Sequence, residues 1–349
     1  MTQQAESMRL QSVGHTTHRR LLWTAGPWAK LNPLYLGIAA LILLALPWGI
    51  ARMNGGSFIL HLIILFLGWG MVVQCWNLIM GVSGIYSFGQ VALFAVGGWT
   101  TGVLSFHFGW SPWLSIWTAP LMTVVAALII GLPTLRLRGT YVVLLTLAFH
   151  ELLRNFMTTG PKLISGGGYG LKTVPKFGFE TWFGGGNDKI MYYYLGLIFF
   201  AVTTYAIWRI LHSPIGMAFR ALRDSETYAI SRGVDPFRFR LILFAFSAFF
   251  TGLAGGFLTH YQGSISTSVF NFGILINLLA MIVLGGWGRI WGPIIGTAIL
   301  TILPEVLRAA EDYRNLSLGI ALALIAVLAP QGLGPLIADG VKKLFRKNR

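Results

Sequence analysis

Long apolar runs alternate with short polar joints along almost the whole chain. A helix needs about 20 apolar residues to cross a bilayer, with a range of roughly 17–25. Runs of that kind lie at 34–50, 58–80, 91–108, 113–132, 140–157, 192–211, 241–261, 274–286, 291–307 and 316–337. The pattern predicts an all-α, polytopic membrane protein of about ten spans. The 274–286 run is the shortest and needs its preceding residues to span. Ten spans divide into five plus five. An odd number per half sets the halves in opposite orientation, the plan of two inverted five-helix repeats. The expected organisation is a polar tail at 1–33, a transmembrane domain at 34–337 and a basic tail at 338–349.

The joint at 212–240 differs from the others. It is long, polar and basic, with Arg220, Arg223, Arg232, Arg238 and Arg240 against Asp224, Glu226 and Asp235. Ala218, Leu222 and Tyr228 or Ala229 recur at helical spacing and give one apolar stripe. Gly216 and Gly233 mark the ends, with Pro214 and Pro236 just outside them. A single short amphipathic helix is expected, built to dock a soluble partner. Ala218, Leu222 and Ala229 would form its seated face, and Arg220, Arg223, Asp224 and Glu226 its rim. A solvated basic connector is the simpler alternative.

Charge sets the orientation. With the N-terminus inside and ten spans, Arg136, Arg138, the 212–240 joint, Arg289 and both basic tails fall inside. Arg52, Arg154, Lys162, Lys172, Lys176, Lys189, Arg308 and Arg314 fall outside. The basic excess inside is roughly two to one, as the positive-inside rule requires. Both termini are expected in the cytoplasm and residues 160–189 outside, as a partly structured cap. Charged residues make up 11% of the 349, against about 25% in soluble domains, and 55% are hydrophobic. The formal net charge of +15 therefore reflects topology and anionic lipid rather than nucleic acid. The one cysteine, Cys75, lies inside an apolar run and excludes a disulfide framework.

Candidate chemistry clusters at the end of the second span. Gln74, Asn77, Ser83, Ser87 and Gln90 are interleaved with Gly81, Gly84 and Gly89. Irregular backbone at membrane depth requires burial in protein or a wet cavity. This segment is expected either to break the span beside a translocation path or to form a cytoplasmic turn. In the fifth span Glu151 and Arg154 are three apart and can pair, and an ionisable group in a span is a functional candidate. His150-Glu151 opens no zinc-protease helix, because Arg154 stands where a histidine is needed. The glycine-rich run before Lys172 is not a phosphate loop, since Leu171 separates Gly170 from Lys172. Gly252 and Gly256, and Gly288, Gly292 and Gly296, permit close helix packing, within the subunit or against a second one.

Several blocks in order carry a resemblance. Trp76-Asn77-Leu78 with Gly81, Gly84, Ser87, Gly89 and Gln90 is similar to a block of the branched-chain amino acid ABC permeases of the LivM type. Leu135 to Tyr141, then Thr146 to Phe149 and Glu151, resemble the next block. Ser213-Pro214, Gly216 and Ala221 to Glu226 resemble the cytoplasmic loop. Gly285 to Pro293 and Pro330 to Leu333 resemble the C-terminal blocks. Together they cover about residues 58–336. The loop departs from the wider coupling motif: Thr227-Tyr228-Ala229 stands where Glu-Ala-Ala is expected, although Gly233 is in place. The resemblance implies a permease subunit of an ATP-driven importer in a bacterial inner membrane, with no ATPase site and no cofactor of its own. It implies a second, related permease subunit, two cytosolic ATP-binding subunits and a periplasmic substrate-binding protein. The substrate class it implies is branched-chain amino acids, with urea, short amides and aromatic acids in related members.

Two other readings compete. A stand-alone secondary transporter usually needs several ionisable groups at mid-membrane, and Glu151 is the main acidic candidate. A membrane-embedded enzyme needs a catalytic constellation, and the sequence offers none.

Overall fold

The computed structural model describes residues 43–53, 55–137, 139–161, 166–167, 169–179, 188–306 and 319. Residues 43–49 are helical and belong to a separate compact unit. The second unit starts at Ile50. The helices are α1 (Gly56–Asn77), α2 (Gln90–His107), α3 (Pro112–Ser115), α4 (Thr118–Thr134), α5 (Thr140–Thr159) and α6 (Asp188–Leu211). Then follow α7 (Pro214–Asp224), α8 (Glu226–Ser231), α9 (Pro236–Gln262), α10 (Phe272–Gly285) and α11 (Trp291–Val306). Each expected span from the second to the ninth coincides with a helix or a continuous helical pair. The first and tenth expected spans lie wholly or mostly outside the described residues. Gly56–Val82, Pro112–Thr134, Asp188–Leu211 and Pro236–Gln262 are long and apolar enough to cross a membrane. Phe272–Gly285 and Trp291–Pro304 are shorter apolar helices. The chain is an all-α, multi-pass membrane protein.

Helix α9 is the packing centre, lying against α1, α2 and α4. Small residues let it come close. A Cβ on Gly252 would stand 2.3 Å from Thr123 Oγ1 on α4, and one on Gly255 would stand 2.2 Å from the Phe94 carbonyl on α2. The second glycine row acts likewise, with Gly296 against Met281 of α10. Both rows are therefore used inside this chain, where close backbone approach supplies van der Waals contact that a lipid tail cannot match.

Helix α5 is attached more lightly. Its buried positions are Val142, Thr146, His150 and Met157, a narrow stripe on one face. Tyr141, Leu144, Leu152 and Phe156 on its other faces are exposed.

The segments between helices sort to two ends. At one end lie 78–89, α7 and α8, and the 286–290 joint, tied together by Arg223 and Asn77. At the other lie residues 169–179, the start of α6 and the stretch after α9. There β1 (Leu171–Lys172) pairs antiparallel with β2 (Ser264–Ile265), Leu171 opposite Ile265. The Val174 N–H donates to the Gly263 carbonyl at 2.8 Å. This grouping is the one that alternating spans require, and it gives the 160–189 segment a built cap in its described part.

Candidate functional site

The second span does not end cleanly. After α1 the chain makes a π-helical turn at Leu78–Val82, then runs irregularly to Gly89 before α2 begins at Gln90. Such turns concentrate at functional positions because they break the regular hydrogen-bond ladder. The segment is buried rather than solvated. Asn77, Ser83, Ser87 and Gln90 are all buried, and Tyr86 is the exposed residue of the run. Irregular backbone is tolerated at depth on that condition.

Polar groups in and beside the break tie it to neighbouring elements. Gln90 Nε2 donates to Ser247 Oγ at 3.1 Å and to Thr251 Oγ1, both on α9. Ser247 Oγ donates in turn to the Cys75 carbonyl of α1 at 3.1 Å. Trp76 Nε1 donates to the Ser87 carbonyl at 2.6 Å, and the Phe88 N–H donates to Thr146 Oγ1 of α5 at 2.9 Å. Ser83 Oγ closes the turn on the Ile79 carbonyl at 2.6 Å. Three helices, α1, α5 and α9, thus meet the break and the start of α2 through hydrogen bonds in a low-dielectric interior, where an unpaired polar group is costly.

The junction with the polar loop is the least expected feature. Arg223 on α7 donates from a terminal guanidinium nitrogen to the Gly81 carbonyl in the π-turn, at 2.9 Å. Asn77 bridges the same turn to the 286–290 joint: its Oδ1 accepts from Gly288 N–H at 2.8 Å and its Nδ2 donates to the Arg289 carbonyl at 2.9 Å. Gly81 cannot carry a side chain here, since a Cβ would stand 2.4 Å from both Asn77 Oδ1 and Gly288 N. A narrow crevice beside Asn77 is lined by Gln74, Val82, Leu211 and Ile290. Gln74 is buried, and neither atom of its amide has a hydrogen-bond partner among the described residues.

The polar loop itself departs from expectation. It forms two helices, not one. Ser225 is extended, with φ −160° and ψ 105°, and its Oγ accepts from Tyr228 N–H to start α8. Pro214 occupies the first turn of α7, where its missing N–H has no cost. Gly233 follows α8 with φ +83°, the left-handed end that glycine adopts cheaply. Gly216, Ala218, Leu222 and Ala229 are buried within this chain. Helix α7 packs on α6, α9 and the π-turn, and Phe219 meets Phe239 edge-on at 6.4 Å. The apolar stripe expected to seat in a partner is therefore already covered, because a membrane protein's own helices are the nearest apolar surface. The exposed large apolar and aromatic residues of the loop are others: Met217, Tyr228, Ile230 and Phe237.

The charged rim also turns partly inward. Arg220 donates to the Leu211 and Gly216 carbonyls, pinning α7 to the end of α6. Burial pulls its guanidinium below the ordinary value, Arg223 adds to this and Asp224 opposes it; arginine stays a cation at neutral pH regardless. Asp224 pairs with Arg223 at 3.1 Å, and Glu226 pairs with Arg240 of α9 at 3.2 Å.

Of the expected path residues, Asn77, Ser83, Ser87 and Gln90 come together. Glu151 does not join them. It pairs with Arg154 at 3.0 Å, with both side chains more than half exposed. Sequence reasoning missed Ser247 and Thr251 as the partners of Gln90. Their signal was present, as two hydroxyls four apart on one face of an apolar span.

The family described as branched-chain amino acid transport system, permease component, matches residues 58–329. The chain is similar to the high-affinity branched-chain amino acid transport system permease protein LivM of Escherichia coli, 32% identical over 330 residues, covering 88% of this chain and 76% of that protein. It is 26% identical over 290 residues to a probable branched-chain amino acid transport permease protein, LivH, of Methanocaldococcus jannaschii, covering 76% of this chain and 86% of that one. Over 135 residues it is 30% identical to the ribose import permease protein RbsC of Haemophilus influenzae, covering 36% of this chain and 42% of that one. No solved structure matches the chain.

Proposed function

This chain belongs to the branched-chain amino acid permease family, and from that premise we propose that it is a membrane-spanning subunit of an ATP-driven importer of branched-chain amino acids or related small polar solutes. In this reading it has no ATPase site of its own. It works with a second, related permease subunit, two cytosolic ATP-binding subunits and a periplasmic binding protein. The end bearing α7 and α8 faces the cytosol, and both termini lie there, in a bacterial inner membrane.

The observation that carries this reading is the bond from Arg223 to the Gly81 carbonyl. It joins a loop outside the spans directly to a break inside them. Closure of ATP-binding subunits against α7 and α8 would push Arg223, and the π-turn would move with it. Asn77 would carry that movement to the 286–290 joint through its two hydrogen bonds. A π-turn suits this role because it has fewer regular bonds to lose. The translocation route then passes beside Asn77, Ser83, Ser87 and Gln90. Small polar groups let a zwitterion pass without holding it, so selectivity rests with the binding protein. Glu151 reaches this route only if the second permease subunit packs over α5.

The surface offered to the ATP-binding subunits is Met217, Tyr228 and Ile230, with Arg220 and Arg223 behind it rather than on it. In the reconstituted importer, Tyr228→Asp is expected to weaken capture of the ATP-binding subunits and substrate-stimulated ATP hydrolysis together, with normal expression of this chain. Wild-type capture and coupling by both Tyr228→Asp and Met217→Asp would show that the loop is a solvated connector.

A further inference from the structure

Asn77 is not the first carboxamide on its face of α1. Gln74 precedes it by three residues, which places the two side chains on one face, one above the other. At 1.5 Å per residue they lie about 4.5 Å apart along the helix axis. Their circumstances are opposite. Asn77 Oδ1 accepts from Gly288 N–H at 2.8 Å, and Asn77 Nδ2 donates to the Arg289 carbonyl at 2.9 Å. Gln74 is 2% exposed, and its Oε1 and Nε2 are both buried with no hydrogen-bond partner among the described residues. Both side chains line one crevice between α1, the end of α6 and the 286–290 joint. Its further walls include Ile207 and Leu211 of α6, Ile290 of the joint and Pro293 of α11, whose side chains offer no hydrogen bond. The crevice has no room for a water molecule.

A buried amide with both ends unpaired is unfavourable. Methionine or leucine would fill about the same volume without that cost. The apolar surroundings therefore do not account for an amide at this position, and its partners belong to a different arrangement of the chain. Chemistry sets what they are: an N–H for the oxygen and a carbonyl for the NH2 group. Asn77 holds such a pair on the neighbouring step of the same face. The joint that supplies the pair is glycine-rich, with Gly286 at φ 103° and Gly288 at φ 69°, and its Ile290 already lines the crevice. A shift of the joint along α1 by about 4.5 Å would carry the Gly288 N–H and the Arg289 carbonyl from one amide to the other. Packed elements move in steps of this kind, because each packed register is stable and the positions between are not.

We propose that Gln74 is a positioning residue for transport: once the ATP-binding subunits close, its carboxamide takes over the Gly288 N–H and the Arg289 carbonyl from Asn77. The proposal rests on the importer reading and deepens it by naming the second resting place of the 286–290 joint. Asn77 holds the joint at the start of the movement that Arg223 drives, and Gln74 holds it at the end. Leaving Gln74 unpaired in the first arrangement narrows the free-energy gap between the two.

The test uses the complete importer in lipid nanodiscs, with Cys75→Ala removing the native thiol. Spin labels are attached through Ile59→Cys, in the first turn of α1, and Trp287→Cys, on the joint, both at exposed positions. The distance between them should shorten by about 4–5 Å on trapping with a non-hydrolysable ATP analogue and leucine-loaded binding protein. Gln74→Met keeps the length of the side chain and removes its hydrogen bonds, so the longer distance should persist in both conditions. Without nucleotide, the same variant should melt about 2 °C or more above the parent, because the unpaired amide is gone. Its leucine uptake in proteoliposomes should fall about tenfold in kcat with KM unchanged, as for an interaction made only during turnover. Gln74→Leu should repeat all three results. A shortened distance in trapped Gln74→Met, or a fall in melting temperature in both variants, would overturn the proposal. A raised KM with kcat intact would do so as well, by putting Gln74 on the route of the solute. If the complex with Gln74 intact takes up leucine and the distance does not change, the Gln74 proposal alone falls. If that complex takes up no amino acid, the importer reading falls and takes the proposal with it.

Discussion

The two ends of the helices are held together in different ways. At the end bearing α7 and α8, three separate stretches of chain meet through single hydrogen bonds to backbone atoms, and glycines bring the backbones into contact. At the opposite end the cap is held by rings. Phe177 sits among Trp113, Phe179, Tyr192 and His260, with centroids 4.9 to 6.0 Å apart. His260 Nδ1 lies 2.8 Å from the Pro175 carbonyl. Aromatic packing is broad and tolerant of small shifts. Hydrogen bonds are short-range and directional. An end held by a few directional bonds can switch between two arrangements, while an end held by a ring cluster stays together as one body. We propose from this contrast that the first end moves during transport and the second stays together as one body.

The comparison can be broken most severely at Leu222. Because this residue is buried within the chain, Leu222→Asp places a carboxylate in an apolar seat with no partner. The expected outcome is loss of folded protein, on the order of 3–5 kcal/mol or more, seen as absent monodisperse material in detergent. Normal insertion with selective loss of ATP-binding subunits would return Leu222 to the docking surface and weaken the contrast. Phe177→Ala should cost about 3–5 kcal/mol by the cavity it leaves. Its melting temperature should fall, while ATP hydrolysis per folded complex stays coupled to substrate. Uncoupling in this variant would mean that the cap moves too.

Gly81→Ala sharpens the other side. Its Cβ would overlap Gly288 N and Asn77 Oδ1, and the overlap costs about 1–3 kcal/mol where the neighbours are backbone. Coupling should suffer more than stability, read as basal ATP hydrolysis that no longer responds to substrate. Arg223→Gln removes a partly buried, charge-assisted bond worth about 1.5–3 kcal/mol before screening. With the side chain 29% exposed, a several-fold loss of uptake is expected with unchanged expression. Glu151→Gln should do least. The pair with Arg154 is exposed, and such pairs contribute about 0–1 kcal/mol, so uptake should stay within twofold of wild type. A large loss would bring Glu151 into the path after all.

Much of this protein was legible along the chain. Apolar runs of spanning length located eight described helices, since length and hydropathy are local and a bilayer imposes them directly. The glycine and proline punctuation of 212–240 marked a helical loop. The polar and glycine cluster at 74–90 marked a break. Alternation of the spans predicted which segments share an end, and the described contacts group them that way.

What the chain could not decide was which surface each amphipathic stripe meets. Ala218, Leu222 and Ala229 show the same periodicity whether they face an ATP-binding subunit or α6 and α9. Only the fold puts them against the latter. The stripe also ran through Ser225 unbroken on paper, while the backbone turns there. The bond from Arg223 to Gly81 spans 142 positions, and the Asn77 bridge to Gly288 spans 211. Nothing local specifies such pairs. They exist because α1, α7 and the 286–290 joint are delivered to one end of the helices, and a carbonyl freed by a π-turn accepts the nearest donor that the fold supplies.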